Sequence, residues 1–312
     1  MKRARGSDRL RAVELYCGIG GAAVAMDQAV DIVAAIDINR RAVDVYRHNL
    51  PHPVTVATLE SLSAAAAHHW DADLWWLSPP CQPFTRRGRQ RDRHDSRTRS
   101  FLDILTILPQ ACPRYLAIEN VPAFRHSLTR SILLETLDDL GYSLQETVLC
   151  PTAFGVPNRR QRYYLVAGRS PLRQLSPPPL RGRSLSSYLD REPTPDLWVD
   201  PELVRRYRPA LDIVDPLDPF SVAACFTSAY GHSPVRSGSY LQTDSGLRRF
   251  SPAEILRLLG FPGDYRLPDD LPLQSAWRLT GNSLSLLPVR HVLSAIPQLT
   301  SLALPASTTT PA

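Results

Sequence analysis

Three short stretches of this chain combine residue types that could do chemistry. Ser78-Pro79-Pro80-Cys81-Gln82-Pro83-Phe84-Thr85 sets a cysteine among prolines directly after the apolar run that ends at Leu77. A lone cysteine after a strand is usually a small core residue, but proline fixes φ and stiffens the turn, so here the Cys81 thiol is aimed at whatever occupies the adjoining cleft. Glu14-Leu15-Tyr16-Cys17-Gly18-Ile19-Gly20-Gly21 places a glycine-rich turn between a strand pattern and a helix pattern, where bare backbone can approach a ligand. Asp37 ends a second apolar run 17 residues past Gly20, where a carboxylate can accept hydrogen bonds from two ribose hydroxyls. Each of these last two features also has a bland reading, since a glycine turn is often only tight packing.

Two further segments carry charge to the same places. Glu119-Asn120-Val121 closes another strand pattern, so the Glu119 carboxyl is expected to face Cys81, with a helix cap at Asn120 as the alternative. In Gly155-Val156-Pro157-Asn158-Arg159-Arg160-Gln161-Arg162, alternation ahead of a strand is expected to point Arg160 and Arg162 the same way. From Arg86 to Arg99 the chain holds seven arginines against Asp92 and Asp95. Such a run suits a loop gripping phosphates, with Arg87, Arg89 and Arg91 as the contacts. A solvated surface is the competing explanation.

The elements that must position these groups follow from periodicity. Strand patterns run over Leu10 to Tyr16, Val30 to Ile36, Asp73 to Leu77 and Tyr115 to Ile118; helix patterns run over Ala22 to Ala29, Arg40 to Asn49, Ser100 to Leu108 and Ser131 to Leu140. Repeated strand, turn and helix predict an α/β fold with a mostly parallel sheet and helices on both faces, its functional loops at the carboxyl ends of the strands. Near residue 175 the composition shifts to Pro177-Pro178-Pro179 and an Arg/Ser-rich stretch, and the alternation is lost until a helix resumes after Ser251. The expected organisation is a main domain over 1–179, a small insert over 180–249, a return to the main domain over 250–300 and a disordered tail over 301–312.

Composition narrows the class. The 312 residues include 43% hydrophobic and 21% charged, as in ordinary globular chains, and no apolar run approaches the ~20 residues of a membrane span. The net charge of +6 permits a polyanionic partner, although Lys2 is the only lysine among 36 basic residues and that bias accounts for much of the arginine. Five widely spaced cysteines with no C-x-x-C pair indicate neither a disulfide framework nor a metal site. The N-terminal segment lacks the apolar stretch of a secretory signal, so a cytoplasmic location without membrane attachment is expected.

Taken in order, ELYCGIGG, AAIDIN, SPPCQPF, AIENV, PNRRQRYYLVA and LTGNSLSLLPV resemble the motifs of the S-adenosylmethionine-dependent cytosine-5 methyltransferases of nucleic acids. PPCQPFTRRGRQRD, SFLDILTILP and Cys225-Phe226-Thr227 followed by Tyr230-Gly231 resemble the subfamily that looks like a DNA methyltransferase yet methylates a tRNA anticodon loop. Cys17 and Ser237 depart from that pattern, standing where the family has a small residue and a threonine. The resemblance implies a Rossmann-like S-adenosylmethionine methyltransferase sheet with a small target-recognition insert. It implies S-adenosyl-L-methionine as cofactor, held by Tyr16, Gly18, Gly20, Asp37, Leu59, Asn282 and Ser283, and Cys225, Phe226 and Thr227 among the substrate contacts.

Carbon 5 of cytosine is too weak a nucleophile to be methylated directly, so a thiolate must first add to carbon 6 while a proton is held at ring nitrogen 3. Cys81 is the expected nucleophile and Glu119 the proton donor, kept neutral by an apolar pocket. Arg162, with Arg160 beside it, is expected to hold the base carbonyl and the neighbouring phosphate. tRNA is expected ahead of DNA because the insert is short, and the protein is expected to act as a monomer. A catalytically idle nucleic-acid binder and a nicotinamide oxidoreductase are the rivals. Intact Cys81, Glu119 and Arg162 count against the first, and G-x-G-G in place of G-x-G-x-x-G counts against the second.

Overall fold

The computed structural model describes residues 9–80, 96–178 and 182–303. Strand β1 (Leu10–Leu15) and helix α1 (Gly21–Met26) are followed by β2 (Val30–Asp37), α2 (Arg40–Asn49), β3 (Val54–Val56), α3 (Ala64–His69), β4 (Leu74–Leu77) and α4 (Ser96–Ala111). Then come β5 (Tyr115–Asn120), α5 (Leu128–Asp139), β6 (Ser143–Leu149) and β7 (Arg162–Gly168). These seven strands form one sheet in the order β3-β2-β1-β4-β5-β7-β6. The pairs from β3 to β5 are parallel, whereas β7 runs antiparallel between β5 and β6.

Burial explains why these strands lack polar alternation. Every residue of β4 and β5 is buried, as expected where helices cover both faces of a parallel sheet. Trp75 and Trp76 fill opposite faces at 1% and 0% exposure. Local signals set the helix starts. Asn39 accepts the Ala42 N–H ahead of α2, and Ser127 accepts the Arg130 N–H ahead of α5, which therefore begins three residues earlier than periodicity alone predicts.

The described chain divides into two compact units. The first takes in the chain up to Leu149, Arg162–Ser176 and Val289–Leu304; the second takes in Cys150–Gln161 and Pro177–Pro288. Within the first, Arg290 donates to the carbonyls of Val24 and Ala25 at the end of α1, supplying partners that a helix C-terminus otherwise lacks. The second contains α6 (Pro201–Tyr207), β8 (Asp212–Val214), β9 (Ser239–Thr243), β10 (Gly246–Arg249), α7 (Pro252–Leu259) and α8 (Leu273–Gly281), and α9 (Leu286–Leu293) spans the boundary between the units. β8, β9 and β10 make a three-stranded sheet. The second unit is thus larger than the 180–249 insert read from composition, and it is structured where no alternation was expected. Its helix after Ser251 has the expected capping box with Glu254, whose carboxylate also forms a buried ion pair with Arg248. Of the expected tail, 301 and 302 close a helical turn, and 304–312 lie outside the described residues.

Among the described residues, no helix is long and apolar enough to cross a membrane, and no group of three or more His, Cys, Asp or Glu could hold a metal ion.

Candidate active site

In the first unit the strand order reverses between β1 and β4, and ligands of open α/β sheets bind outside the carboxyl ends of strands at such a point. β1 delivers Tyr16 and the glycine turn to that edge. Gly20 has φ 83°, and a Cβ there would come within 2.5 Å of Leu50 Cδ1, so conformation and space both demand glycine. Tyr16 takes a left-handed conformation at φ 58°, and its hydroxyl donates to Ser100 Oγ at 2.9 Å.

β2 delivers Asp37 to the same edge. Its Oδ2 accepts the Gly18 N–H and its Oδ1 the Asn39 N–H, both at 2.8 Å. Burial raises its proton affinity above the usual carboxylate range, opposed by those N–H groups and that of Ile38. Each oxygen retains a lone pair, so the carboxylate braces the glycine turn and can still accept from a ligand. Ile38 is 69% exposed beside it. Sequence reading passed over this apolar side chain, though its place directly after Asp37 was visible. Leu59 follows β3 but is buried, packed with Leu15 and Ile36.

Glu14 stands behind the turn and accepts the Ala22 N–H. Complete burial pushes its carboxyl up to about 8, outweighing the N–H groups of Ala22 and Ala23 and the Tyr46 hydroxyl, which favour the charged form. Folding therefore retains on Glu14 a proton that the unfolded chain releases at ordinary carboxylate pH. Glu14 by itself therefore lowers stability as pH rises from about 4.5 to 8, by up to about 1.4 kcal/mol per unit, against the opposite contributions of His52 and His291, whose proton affinities burial lowers. We expect Glu14→Gln to remove most of that slope, as read from urea midpoints at several pH values across the window. An unchanged slope would show Glu14 to be ionised in the folded protein.

At the end of β4, Ser78 donates its N–H to the Leu15 carbonyl, and its Oγ accepts from Trp76 Nε1. Asn120 donates from Nδ2 to the Pro79 carbonyl and accepts the Val121 N–H. Asn120 is therefore no helix cap: it ties the end of β5 to the turn that leads into Cys81. Cys81 itself, together with Arg87, Arg89 and Arg91, lies outside the described residues.

Glu119 is 8% exposed and its Oε1 lies 3.1 Å from Arg162 Nε. Because β7 runs antiparallel to β5, Asn120 pairs with Tyr163, and Arg162 comes to the same edge as Glu119. An arginine partner favours the ionised carboxylate. Burial to 8% exposure acts the other way, so the pocket expected to be apolar holds a cation beside the carboxyl.

Arg160 behaves differently from Arg162. β7 begins at Arg162, so alternation does not reach back to Arg160. Arg160 is buried in the second unit, where it donates to the carbonyls of Phe226, Gly281 and Ser283 and to the Cys225 sulfur. In this structure it is a clamp on backbone. Asn158 adds bonds to the carbonyls of Ala223 and Ala224. Phe226, expected among the substrate contacts, is 2% exposed and packs on Tyr230 and Phe250, which makes it a core residue. Thr227 is half-buried and its Oγ1 accepts the Ala229 N–H. Ser283 is buried and Asn282 is exposed, both in the second unit.

A family profile described as C-5 cytosine-specific DNA methylase matches residues 10–195, more than half of the chain. The chain belongs to the cytosine-5 methyltransferase family. This methyltransferase is 32% identical to the human tRNA (cytosine(38)-C(5))-methyltransferase, over 92% of its own length and 98% of the relative's. Among solved structures, the Entamoeba histolytica methyltransferase EhMeth superposes with a TM-score of 0.87 at 26% identity, covering 95% of this chain and 99% of that one. The S. pombe Dnmt2 methyltransferase superposes with a TM-score of 0.81 at 32% identity, covering 93% and 98%. As a cytosine-5 methyltransferase, the enzyme uses S-adenosylmethionine as methyl donor. The carboxylate of Asp37, the bare turn at Gly18 and the exposed Ile38 fit a ribose and a flat base at one edge, so the residues present suit that cofactor.

Proposed function

We propose that this methyltransferase acts on cytosine in tRNA through a covalent adduct on Cys81. The observation that carries the chemistry is the Glu119–Arg162 pair at the strand edge next to the turn that leads into Cys81. The likeness to a relative named for tRNA, over nearly the full length of both chains, supports the substrate.

In this reading Cys81 adds as thiolate to carbon 6, which turns carbon 5 into an enamine-like nucleophile. Glu119 gives its carboxyl proton to ring nitrogen 3 as Cys81 adds, and the carboxylate left behind is stabilised by Arg162, 3.1 Å away. A guanidinium has five N–H donors in a fixed fork, so Arg162 can pair with Glu119 and take the base carbonyl. S-adenosylmethionine, when bound, supplies the electrophilic methyl group that carbon 5 takes up. A base takes the carbon-5 proton, Cys81 leaves as thiolate, and the proton on ring nitrogen 3 returns to Glu119. A target base inside a helix cannot reach this edge, so it is flipped out or taken from a loop. Arg87, Arg89 and Arg91 would grip the adjoining phosphates.

The cofactor would lie against Tyr16, Gly18, Gly20, Asp37 and Ile38, with Leu59 behind. Asp37→Ala is expected to weaken S-adenosylmethionine binding at least tenfold, roughly 1.4 kcal/mol, since it removes a charged acceptor and releases the Gly18 N–H. Calorimetry giving an unchanged affinity would remove Asp37 from the site.

The substrate is tested by incubating the protein with methyl-labelled S-adenosylmethionine and either total tRNA or genomic DNA. Label in tRNA alone is the expected result. DNA remains the second reading because the matching family profile carries DNA methylase in its description, and label in DNA alone would reverse the assignment.

A further inference from the structure

We infer that Ser100 is a positioning residue for the methyl-donor site, acting through the hydroxyl of Tyr16. The inference rests on the reading that Tyr16 contacts the cofactor. Tyr16 follows β1 with φ at 58°, a conformation that costs a non-glycine side chain roughly 1–2 kcal/mol, so something must hold it there. The backbone side is held by the next residue, whose N–H donates to the Ile36 carbonyl at 3.0 Å. The far end of the ring is held by the bond from the Tyr16 hydroxyl to Ser100 Oγ at 2.9 Å.

Surroundings make that bond consequential. Ser100 is 6% exposed on α4, next to Phe101 at 2% and one turn before Ile104 at 0%. Its hydroxyl therefore sits on a face fastened into the core. Burial is also the first cause of the raised proton affinity of the Tyr16 hydroxyl, with the carboxylates of Glu60, Asp103 and Asp37 adding to it, while Ser100 is the one neighbour that opposes the shift. Phenylalanine would fill the same volume with no polar end to satisfy. With tyrosine, the Cys17 N–H bond holds the backbone and the Ser100 bond holds the tip of the ring, so the ring faces its ligand in one orientation before the ligand arrives. Preorganisation of this kind contributes to affinity by reducing what is left to order on binding.

The test is a double-mutant cycle on S-adenosylmethionine affinity by calorimetry with the full-length protein, using Ser100→Ala, Tyr16→Phe and both together. Each single variant is expected to weaken binding roughly fivefold, the equivalent of one neutral hydrogen bond, and the double variant no more than either single one. Ser100→Thr, which keeps the hydroxyl, is expected to restore binding. In steady-state methyl transfer the KM for S-adenosylmethionine should rise while kcat holds, a split that general loosening of α4 would not give. Independent, multiplying effects in the cycle, or wild-type affinity in Ser100→Ala, would overturn the inference. Tyr16→Ala separates this from failure of the underlying reading. If Tyr16→Ala leaves affinity unchanged, Tyr16 is not in the cofactor site at all. If it weakens binding and Ser100→Ala does not, only the role of Ser100 is lost.

Discussion

Cys81→Ala should abolish methyl transfer and leave S-adenosylmethionine binding within a few-fold of wild type. The thiol is the only group in this reading that can activate carbon 5, because neither Glu119 nor Arg162 can form the bond to carbon 6. Losing a nucleophile normally costs several orders of magnitude in kcat. The residues proposed for the cofactor, Tyr16, Gly18 and Asp37, sit at the ends of β1 and β2, whereas Cys81 comes after β4 in the chain, so binding should not depend on the thiol. Single-turnover assays with labelled cofactor give the rate, and calorimetry gives the affinity. Residual activity above about one per cent would remove covalent catalysis from the account.

A second large effect is expected for Glu119→Gln, a fall in kcat of about 10²- to 10⁴-fold, the range for losing a group that manages a proton in the transition state. Glutamine keeps the shape and can still touch ring nitrogen 3, but it has no acidic proton to transfer there. The substitution also leaves Arg162 partly buried without its counter-ion, so the variant needs a stability control. Thermal melting supplies one, and Arg162→Ala supplies another by removing the orphaned cation. Cofactor affinity and nucleic-acid affinity in Glu119→Gln should stay within a few-fold of wild type. A kcat within tenfold of wild type would assign Glu119 a merely structural part.

Much of this site was legible because parallel α/β sheets present functional residues at strand ends, and apolar runs mark strand ends well. The runs closing at Tyr16, Ile36 and Leu77 located Tyr16, Asp37 and the approach to Cys81 within a residue of where the strands stop. Other features depend on partners distant in sequence. Nothing local to Arg162–Gly168 says that it runs antiparallel between β5 and β6, yet that placement alone brings Arg162 beside Glu119. Arg160 looked equivalent to Arg162 because alternation assumes a strand, and the strand starts two residues too late for it. Phe226 carries a motif and a core position at once, and pattern cannot separate a residue that touches substrate from one that holds the segment touching it. The small sheet of the second unit escaped because strands of three to five residues carry almost no periodic signal.

The bonds from Arg290 to the end of α1 tie together residues 265 and 266 positions apart. At synthesis rates of about 5–20 residues per second, roughly ten to fifty seconds separate the emergence of α1 from that of its partner. During that interval the glycine turn and α1 exist on the ribosome with their helix end unfinished. Contacts this distant in sequence are among the slowest to form, because loop closure must precede any gain from them. The glycine turn is thus braced by a residue translated long after it, and a nascent chain stalled before Val289 carries every residue proposed for the reaction without that support beneath the turn.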